Sequence, residues 1–312
     1  MSRYLSTYSI PGRRECADFL FDALVLGCHQ IDRRFYLNNV WGNNETYPFM
    51  LFEESKTFEF ETLTIFYGNN GSGKSTLLNL IAASLQLRRH SEINTSPYFD
   101  LFREKLCQVG VSSDFDDIGR QADIITSDDV FKHVLQLRGL NKEISKERDK
   151  SIDYIFSLKA LASKGEYQPR PAENLEECIS RNKEIEALRH TSSHYVRNHS
   201  RHNLRNQSNG ESALEFFTSC IKDEGLYLLD EPENSLSPSF QIKLIEYLQC
   251  SMRLGCQFVI ATHSPLLLGM PGARLYNLDA PTYPITCWRD LENIRIYYNF
   301  FKEHEHEFTK NA

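Results

Sequence analysis

The segment 62–76, TLTIFYGNNGSGKST, constrains the fold and the chemistry of this chain more than any other. Its apolar first part alternates like a strand, and the run LLNLIAASLQL that follows predicts a helix. The turn between them has the spacing G-x-x-x-x-G-K-[ST], in which Gly68, Gly71 and Gly73 let several backbone N–H groups point into one hollow. Because this hollow lies at a helix N-terminus, its partial positive charge favours phosphate. In such a turn Lys74 reaches the β- and γ-phosphates, and Ser75 offers its hydroxyl to Mg²⁺.

Composition limits the remaining function classes. The 312 residues suffice for one large α/β domain or two smaller ones. The formal net charge of −7 means that any contact with nucleic acid has to come from a local basic patch. The eight cysteines form no C-x-x-C pair, which argues against a zinc ribbon or a disulfide framework. The sequence shows neither a signal peptide nor a run of about 18 apolar residues, so we expect a cytoplasmic protein without membrane contact.

Two further apolar segments end in polar residues that suit phosphate chemistry. The strand-like GLYLLDEPE ends in Asp230 and Glu231, which would point to opposite sides of a strand. One carboxylate can then hold Mg²⁺ while the other polarises an attacking water. The segment CQFVIATHSP predicts a buried strand that ends at His263, and ligands of parallel sheets gather at the carboxyl ends of the strands. We therefore expect His263 near the γ-phosphate.

A second glycine-containing turn, QSNGES at 207–212, precedes the helical pattern ALEFFTSCI. Gly210 would permit a tight turn there, with Ser208 and Ser212 as helix caps, which makes a second anion site.

These motifs, GNNGSGKST, QSNGES, LLDEPE and ATHSP in this order, resemble those of the ATP-binding cassette ATPases. The soluble branch related to SMC and DNA-repair ATPases is more similar than the transporter subunits. The segment HSPLLLGMPGA is similar to the ending found in compact bacterial AAA-family ATP-binding proteins. The resemblance covers residues 60–80 and 205–280.

The resemblance implies an α/β P-loop NTPase fold, with an ABC-ATPase-like mixed sheet and an inserted helical signature subdomain. The chain would form one domain, with lobes at 1–127 and 216–312 around a helical subdomain at 128–215. The residues from 207 to 211 would complete the site of a second protomer, so that two ATP molecules are held in a head-to-tail homodimer.

The resemblance also assigns roles to individual residues. Glu231 and His263 would be catalytic, and Ser75 and Asp230 would hold Mg²⁺. The ATP-binding residues would be Asn69, Asn70, Gly71, Ser72, Gly73, Lys74, Ser75, Thr76, Ser208, Gly210 and Glu211.

The middle of the chain departs from the family pattern. Ser127, which we expect to cap a helix, and Asp128 stand at the Q-loop position, where the family has a glutamine. We expect a helical layer there, with an apolar face and buried candidates at Val130, Phe131, Val134, Leu135, Leu137, Ile144, Ile152, Ile155, Phe156, Leu158 and Leu161.

Two groups of residues have open interpretations. From Ala187 to Gln207 there are four Arg, four His and no acidic residue. This stretch, with its basic part at 189–205, is a solvated loop, a patch for nucleic acid, or a metal site at His190 and His194. An N-terminal sheet would lead into the P-loop strand, and Tyr36 or Trp41 would stack on adenine or pack in the core.

We expect ATP binding and Mg²⁺-dependent hydrolysis that drives dimer closure. The activity would be coupled to a partner effector, such as a nuclease, in bacterial antiviral defence or DNA processing. One alternative is an ATP-binding switch or scaffold without significant hydrolysis. Another is the ATPase subunit of a transporter, which co-purification with a membrane permease would indicate.

Overall fold

The computed structural model describes residues 4–26, 47–49, 51–93, 95, 96, 98–118, 121–167, 175–189, 191 and 208–309. These residues form two compact units, one built from the chain up to residue 131 and from 209 onwards, the other from 132–208.

A five-stranded sheet of parallel strands forms the centre of the first unit. Its strands are β3 (Leu63–Tyr67), β5 (Ala122–Thr126), β6 (Leu226–Asp230), β7 (Gln257–Ala261) and β8 (Arg274–Asn277), in the order β5-β6-β7-β3-β8. The strands are almost completely buried, as their continuous apolar sequences require when both faces of a sheet are covered. Because all strands are parallel, their carboxyl ends meet at one edge.

The antiparallel strands form a separate sheet. β1 (Leu5–Ile10) lies between β2 (Lys56–Glu59) and β4 (Gln108–Val111), and α1 (Arg13–Leu26) follows β1. The side chain of Gln257 on β7 joins the two sheets. Its Oε1 accepts a hydrogen bond from Leu5 N at 2.8 Å, and its Nε2 donates to Leu5 O at 2.8 Å and to Glu61 O at 3.0 Å. Gln257 thus pairs with β1 as a backbone peptide would.

Helices cover both faces of the central sheet and complete the first unit. They are α2 (Lys74–Ser84), α3 (Phe99–Leu106), α6 (Asn209–Cys220), α7 (Pro238–Arg253), α8 (Pro265–Leu268), α9 (Glu292–Glu303) and α10 (Glu305–Thr309). Single 3-10 turns lie at Ser113–Ile118, Pro232–Ser235 and Trp288–Asp290. On the α2 face, Phe66 packs with Leu77 and Leu228; on the other face, Phe217 packs with Leu229.

The second unit contains most of α4 (Ser127–Ser163) and all of α5 (Leu175–Arg189). Ile155, Leu158 and Ala187 are buried, and Glu184 accepts hydrogen bonds from Tyr154 Oη at 2.9 Å and Tyr167 Oη at 3.0 Å.

The expectation for the buried face of α4 was partly wrong. Phe131, Leu135, Phe156 and Leu161 are all exposed, by 59%, 46%, 60% and 44%. A lone helix pair buries one stripe per helix, so apolar positions outside that stripe stay at the surface.

The predicted start of α4 was also wrong in detail. Thr126, not Ser127, occupies the capping position, because Thr126 Oγ1 accepts from Asp129 N at 3.3 Å while Asp129 Oδ2 accepts from Thr126 N at 2.8 Å. This reciprocal pair is a capping box.

Candidate active site

The turn between β3 and α2 has the backbone conformation that its glycines predict. Gly71 and Gly73 have φ of 86° and 90°, in the left-handed region that favours glycine. A Cβ atom at Gly73 would also lie 3.0 Å from the Phe52 ring. Gly68 is required for a different reason, because a Cβ atom there would lie 2.4 Å from Ser72 Oγ. Glycine is therefore favoured at 71 and 73 by the backbone conformation, and at 68 by the space that Ser72 occupies.

Lys74 lies inside this turn and is 4% exposed. Its Nζ donates to Gly68 O at 2.8 Å and to Asn69 O at 3.2 Å. Burial lowers the pKa of Lys74, and the nearby carboxylates of Glu231 and Asp230 oppose that change. The ammonium group is thus fixed at the turn, next to the first N–H groups of α2.

The N-terminus of α2 suits an anion. Its N-cap residue is Gly73, which has no side chain to accept from the first N–H groups of the helix. Such N–H groups lack a partner within the helix and commonly bind phosphate oxygens. At the other side of the turn, Asn69 N donates to the Asp279 carboxylate at 2.8 and 2.9 Å, so this amide is already occupied.

Ser75 and Asp230 come together from different elements. Ser75 Oγ donates to Asp230 Oδ1 at 3.0 Å, although β7 separates the strand that leads to Ser75 from the strand that ends at Asp230. Burial raises the pKa of Asp230 to about 6. A partly buried carboxylate beside a hydroxyl is a set of hard oxygen ligands that suits a divalent cation, so the residues present fit Mg²⁺.

Glu231 follows directly after β6 and has φ of 48° and ψ of 53°. The expectation that Asp230 and Glu231 are neighbours on one strand was therefore wrong, because the left-handed residue itself ends the extended backbone. Glu231 Oε1 lies 3.0 Å from His263 Nε2, and Oε2 accepts from Asn234 Nδ2 at 2.9 Å. Lys74 Nζ lies 3.9 Å from Glu231 Oε1. The Glu231 carboxylate thus lies between the P-loop lysine and the histidine after β7.

Gly210 and Glu211 lie in the first turn of α6. The predicted tight turn at Gly210 was wrong, because the helix already begins at Asn209. Glycine is required at this position because a Cβ atom would lie 2.5 Å from the Phe240 ring of α7. Ser208 precedes the helix and is exposed.

Three polar residues near the site were not predicted. Tyr47 Oη donates to Thr76 Oγ1 at 2.7 Å, Asp279 holds the P-loop as described above, and Glu233 accepts from the turn that carries His263. Glu233 could have been suspected as the third acidic residue of LLDEPE. Tyr47 and Asp279 lie far from the motif in sequence and carry no such signal.

Several predicted residues fall outside the described residues. They are Tyr36, Trp41, His190, His194 and the rest of the basic stretch apart from Arg189 and Thr191. In the part of the chain that the structure describes, no group of three or more His, Cys, Asp or Glu side chains is arranged to hold a metal ion. No helix of this part is long and apolar enough to cross a membrane.

A family model described as "AAA domain, putative AbiEii toxin, Type IV TA system" matches residues 87–269. The match covers more than half of the chain, begins after the P-loop, and includes Asp230, Glu231 and His263. No curated protein matches the chain significantly.

Solved structures of ATP-binding cassettes are also similar. The dimeric post-hydrolysis state of the cassette MJ0796, bound to ADP and Pi, is 17% identical with a TM-score of 0.32, over 72% of this chain and 85% of that one. The ADP conformation of the cassette MJ1267 of an ABC transporter is 15% identical with a TM-score of 0.38, over 78% and 91%. An inward-facing putative metal-chelate type ABC transporter is 15% identical with a TM-score of 0.36, over 77% of each chain. The fold assignment rests on the strand order and the P-loop described above.

Proposed function

The chain belongs to the family of AAA domains described as putative AbiEii toxins of type IV toxin–antitoxin systems, and we propose that it binds and hydrolyses ATP with Mg²⁺. One observation carries this proposal. Around a single P-loop, the Ser75–Asp230 pair and the Glu231–His263 pair have hydrogen-bond distances of 3.0 Å each. A P-loop that only bound phosphate, without hydrolysis, would not need the Glu231–His263 pair.

The proposed roles follow from the contacts. Lys74 and the first N–H groups of α2 bind the phosphate oxygens, and Ser75 and Asp230 hold the metal. When bound, Mg²⁺ neutralises charge on the phosphates. Glu231 accepts the proton of the attacking water, because each of its oxygens keeps a lone pair beyond the contacts with His263 and Asn234. His263 orients the Glu231 carboxylate through the contact between Nε2 and Oε1.

Steady-state hydrolysis by the purified chain tests the proposal, with Glu231→Gln as the matched variant. The amide keeps the shape but cannot take the proton, so we expect retained ATP binding and a kcat lower by about 10²–10⁴-fold. Glu246→Ala, an exposed glutamate on α7, is the control and should be as active as the wild type. Wild-type turnover in Glu231→Gln would exclude Glu231 as the base.

We further propose that two chains close head to tail over two ATP molecules. The support is the resemblance of residues 207–211 to the signature motif and the exposure of Ser208 and Glu211 at the start of α6. The Glu231→Gln variant should accumulate as an ATP-dependent dimer in light scattering.

Mixing two inactive variants tests the head-to-tail arrangement. Lys74→Ala inactivates the P-loop of one chain, and Ser208→Arg blocks the signature motif of the other chain. In a mixed dimer both defects fall in the same site, so the second site has an intact P-loop and an intact signature motif. Because half of randomly formed dimers are mixed, we expect about a quarter of wild-type turnover from the mixture. No recovery in a mixture that does form mixed dimers would contradict the arrangement.

The partner is proposed from two features. The family description names a toxin–antitoxin system, and the stretch 189–205 is rich in Arg and His. We propose an effector protein, such as a nuclease, in bacterial defence, with nucleic acid as the signal. Binding of duplex DNA or tRNA should weaken steeply with salt and be lost when Arg197, Arg201 and Arg205 are replaced by Ala. Absence of binding at low salt would remove nucleic acid from the proposal.

A nucleotide-dependent switch without hydrolysis is the second candidate. The observation that favours it is the Thr126–Asp129 capping box at the place where the family has its Q-loop glutamine. ATP binding and dimer formation without phosphate release from the wild type would support this candidate.

A further inference from the structure

Glu233 connects the segment after β6 to the turn after β7. Its Oε1 accepts hydrogen bonds from Thr262 Oγ1 at 2.7 Å, His263 N at 2.7 Å and Ser264 N at 3.1 Å. Three donors from consecutive residues therefore converge on one carboxylate oxygen. Hydrogen bonds to an ionised acceptor are stronger than neutral ones, so this contact fixes the backbone on both sides of His263.

The position of this contact matters because Glu231 and Glu233 belong to the same short segment. The 3-10 turn Pro232–Ser235 sets Glu231 and Glu233 relative to each other, and Glu231 N also donates to Ala261 O at 2.9 Å. Glu233 holds the backbone of His263, and Glu231 Oε1 lies 3.0 Å from the imidazole Nε2. The Glu233 carboxylate is thus one of the contacts that hold the segments of Glu231 and His263 together.

The turn has a second anchor that does not involve Glu233. Ser264 Oγ accepts from Leu266 N and Leu267 N as the cap of α8, and it donates to Gln241 Oε1 at 2.6 Å. Ser264 N also donates to Thr262 Oγ1 at 3.0 Å. Because these bonds persist without Glu233, its loss should displace His263 without unfolding the start of α8.

The other oxygen of Glu233 is unused within the described residues. Glu233 Oε2 is buried and accepts no hydrogen bond. The three donors therefore use one oxygen of Glu233, and burial of the other oxygen without a partner costs free energy. An amide oxygen at the position of Oε1 could accept the same three hydrogen bonds.

We infer that Glu233 is a positioning residue that fixes the distance between His263 and the proposed base Glu231, an inference that rests on the proposed ATPase function. Among the described residues Glu233 makes no hydrogen bond to the P-loop or to the Glu231 side chain, and its hydrogen bonds reach the site through the backbone of His263. Its negative charge also acts on Lys74 and Asp230.

The first test is a comparison of Glu233→Ala with Glu233→Gln. Glu233→Ala removes all three contacts and should lower kcat by about tenfold to a hundredfold, with little change in KM for ATP, since misplaced groups affect the reacting geometry. Glu233→Gln keeps an acceptor oxygen at the same place and should recover most of kcat. Equal losses of kcat in both variants, or a loss that appears in KM alone, would overturn the inference.

A double-mutant cycle with His263→Ala supplies the second test. If Glu233 acts through His263, Glu233→Ala should have no further effect on single-turnover rates in the His263→Ala background. Additive losses would show that Glu233 has an independent role and would contradict the inference.

Amide exchange separates this inference from the proposed activity. In Glu233→Ala the amide of His263 should exchange at least about tenfold faster, while Leu267, which is held by Ser264, should be unchanged. This readout needs no turnover. An inactive wild type would count against the ATPase proposal, whereas unchanged exchange at His263 would count against the positioning role.

Discussion

Replacing Asp230 by Asn should make the nucleotide-free protein more stable at pH 7.5 while it removes the metal site. Asp230 is partly buried at the end of β6, and its carboxylate accepts a hydrogen bond from the neutral hydroxyl of Ser75 at 3.0 Å. The Asn side chain has the same shape and keeps an oxygen that accepts from Ser75. The substitution therefore removes the cost of burying a charge and retains the hydrogen bond.

The pKa of Asp230 gives the magnitude. Burial raises this pKa from 3.8 to about 6, which at about 1.4 kcal/mol per pKa unit corresponds to about 3 kcal/mol at neutral pH. The added NH₂ group has to be accommodated, so we expect about 1–2 kcal/mol of net stabilisation. For a chain of this size that is a rise in Tm of about 1.5–3 °C.

The pH dependence has a definite sign. Because the pKa is higher in the folded than in the unfolded state, the folded protein binds the proton more tightly between pH 3.8 and about 6. The wild type therefore gains about 1.5 kcal/mol relative to Asp230→Asn as the pH falls from 7.5 to 5, which should remove most of the advantage of the variant.

Thermal unfolding in EDTA, followed by circular dichroism at pH 7.5 and pH 5, measures this effect. Asp153→Asn, an exposed position on α4, controls for the change of net charge. With ATP and Mg²⁺ the order should reverse, because only the wild type gains the stabilisation of the bound ligand. An Asp230→Asn protein that is less stable at pH 7.5, or whose advantage does not depend on pH, would refute the reasoning.

Three other substitutions have clear expectations. Lys74→Ala should abolish ATP binding in calorimetry, because it removes the ammonium group of the P-loop. Asp123→Ala should lower the free energy of unfolding, measured in urea, by about 2–4 kcal/mol, because Asp123 is 1% exposed and accepts two hydrogen bonds of 2.6 Å from Arg88. A decrease below about 1 kcal/mol would mean that the pair contributes little to stability. Gly210→Ala should lower Tm, because overpacking against Phe240 costs about 1–3 kcal/mol and exceeds the gain in helix propensity of up to about 1 kcal/mol. Adding Phe240→Leu to this variant should bring Tm back to the wild-type value.

The sequence predicted the P-loop and its flanking elements because the information there is local. The spacing from Gly68 to Ser75 and the apolar segments on either side depend only on neighbouring residues. The parallel sheet and the polar carboxyl ends of β6 and β7 follow from the same kind of pattern. The sequence pattern does not contain the strand order. That order places β7 between β3 and β6, and Ser75 and Asp230 meet at the carboxyl ends of these strands.

The errors arose where a side chain had two possible local roles. Thr126 and Ser127 can both cap a helix, and only the acidic residue three positions after Thr126 distinguishes them. Phe131 and Phe156 fit an apolar stripe of α4, but both side chains are exposed. Glu233 could not be assigned from sequence, because its partners lie about 30 residues further along the chain.

The contact of Gln257 with β1 depends on the difference between one nitrogen and one oxygen atom. At Gln257 the amide Nε2 faces the carbonyl oxygens of Leu5 and Glu61, and Oε1 faces an N–H group. Hydrolysis of this amide to a carboxylate would leave the shape of the side chain unchanged but would place an acceptor against two acceptors. Chemical ageing at this single atom would therefore weaken the attachment of β1 to the central sheet, while every motif of the candidate nucleotide site stayed intact.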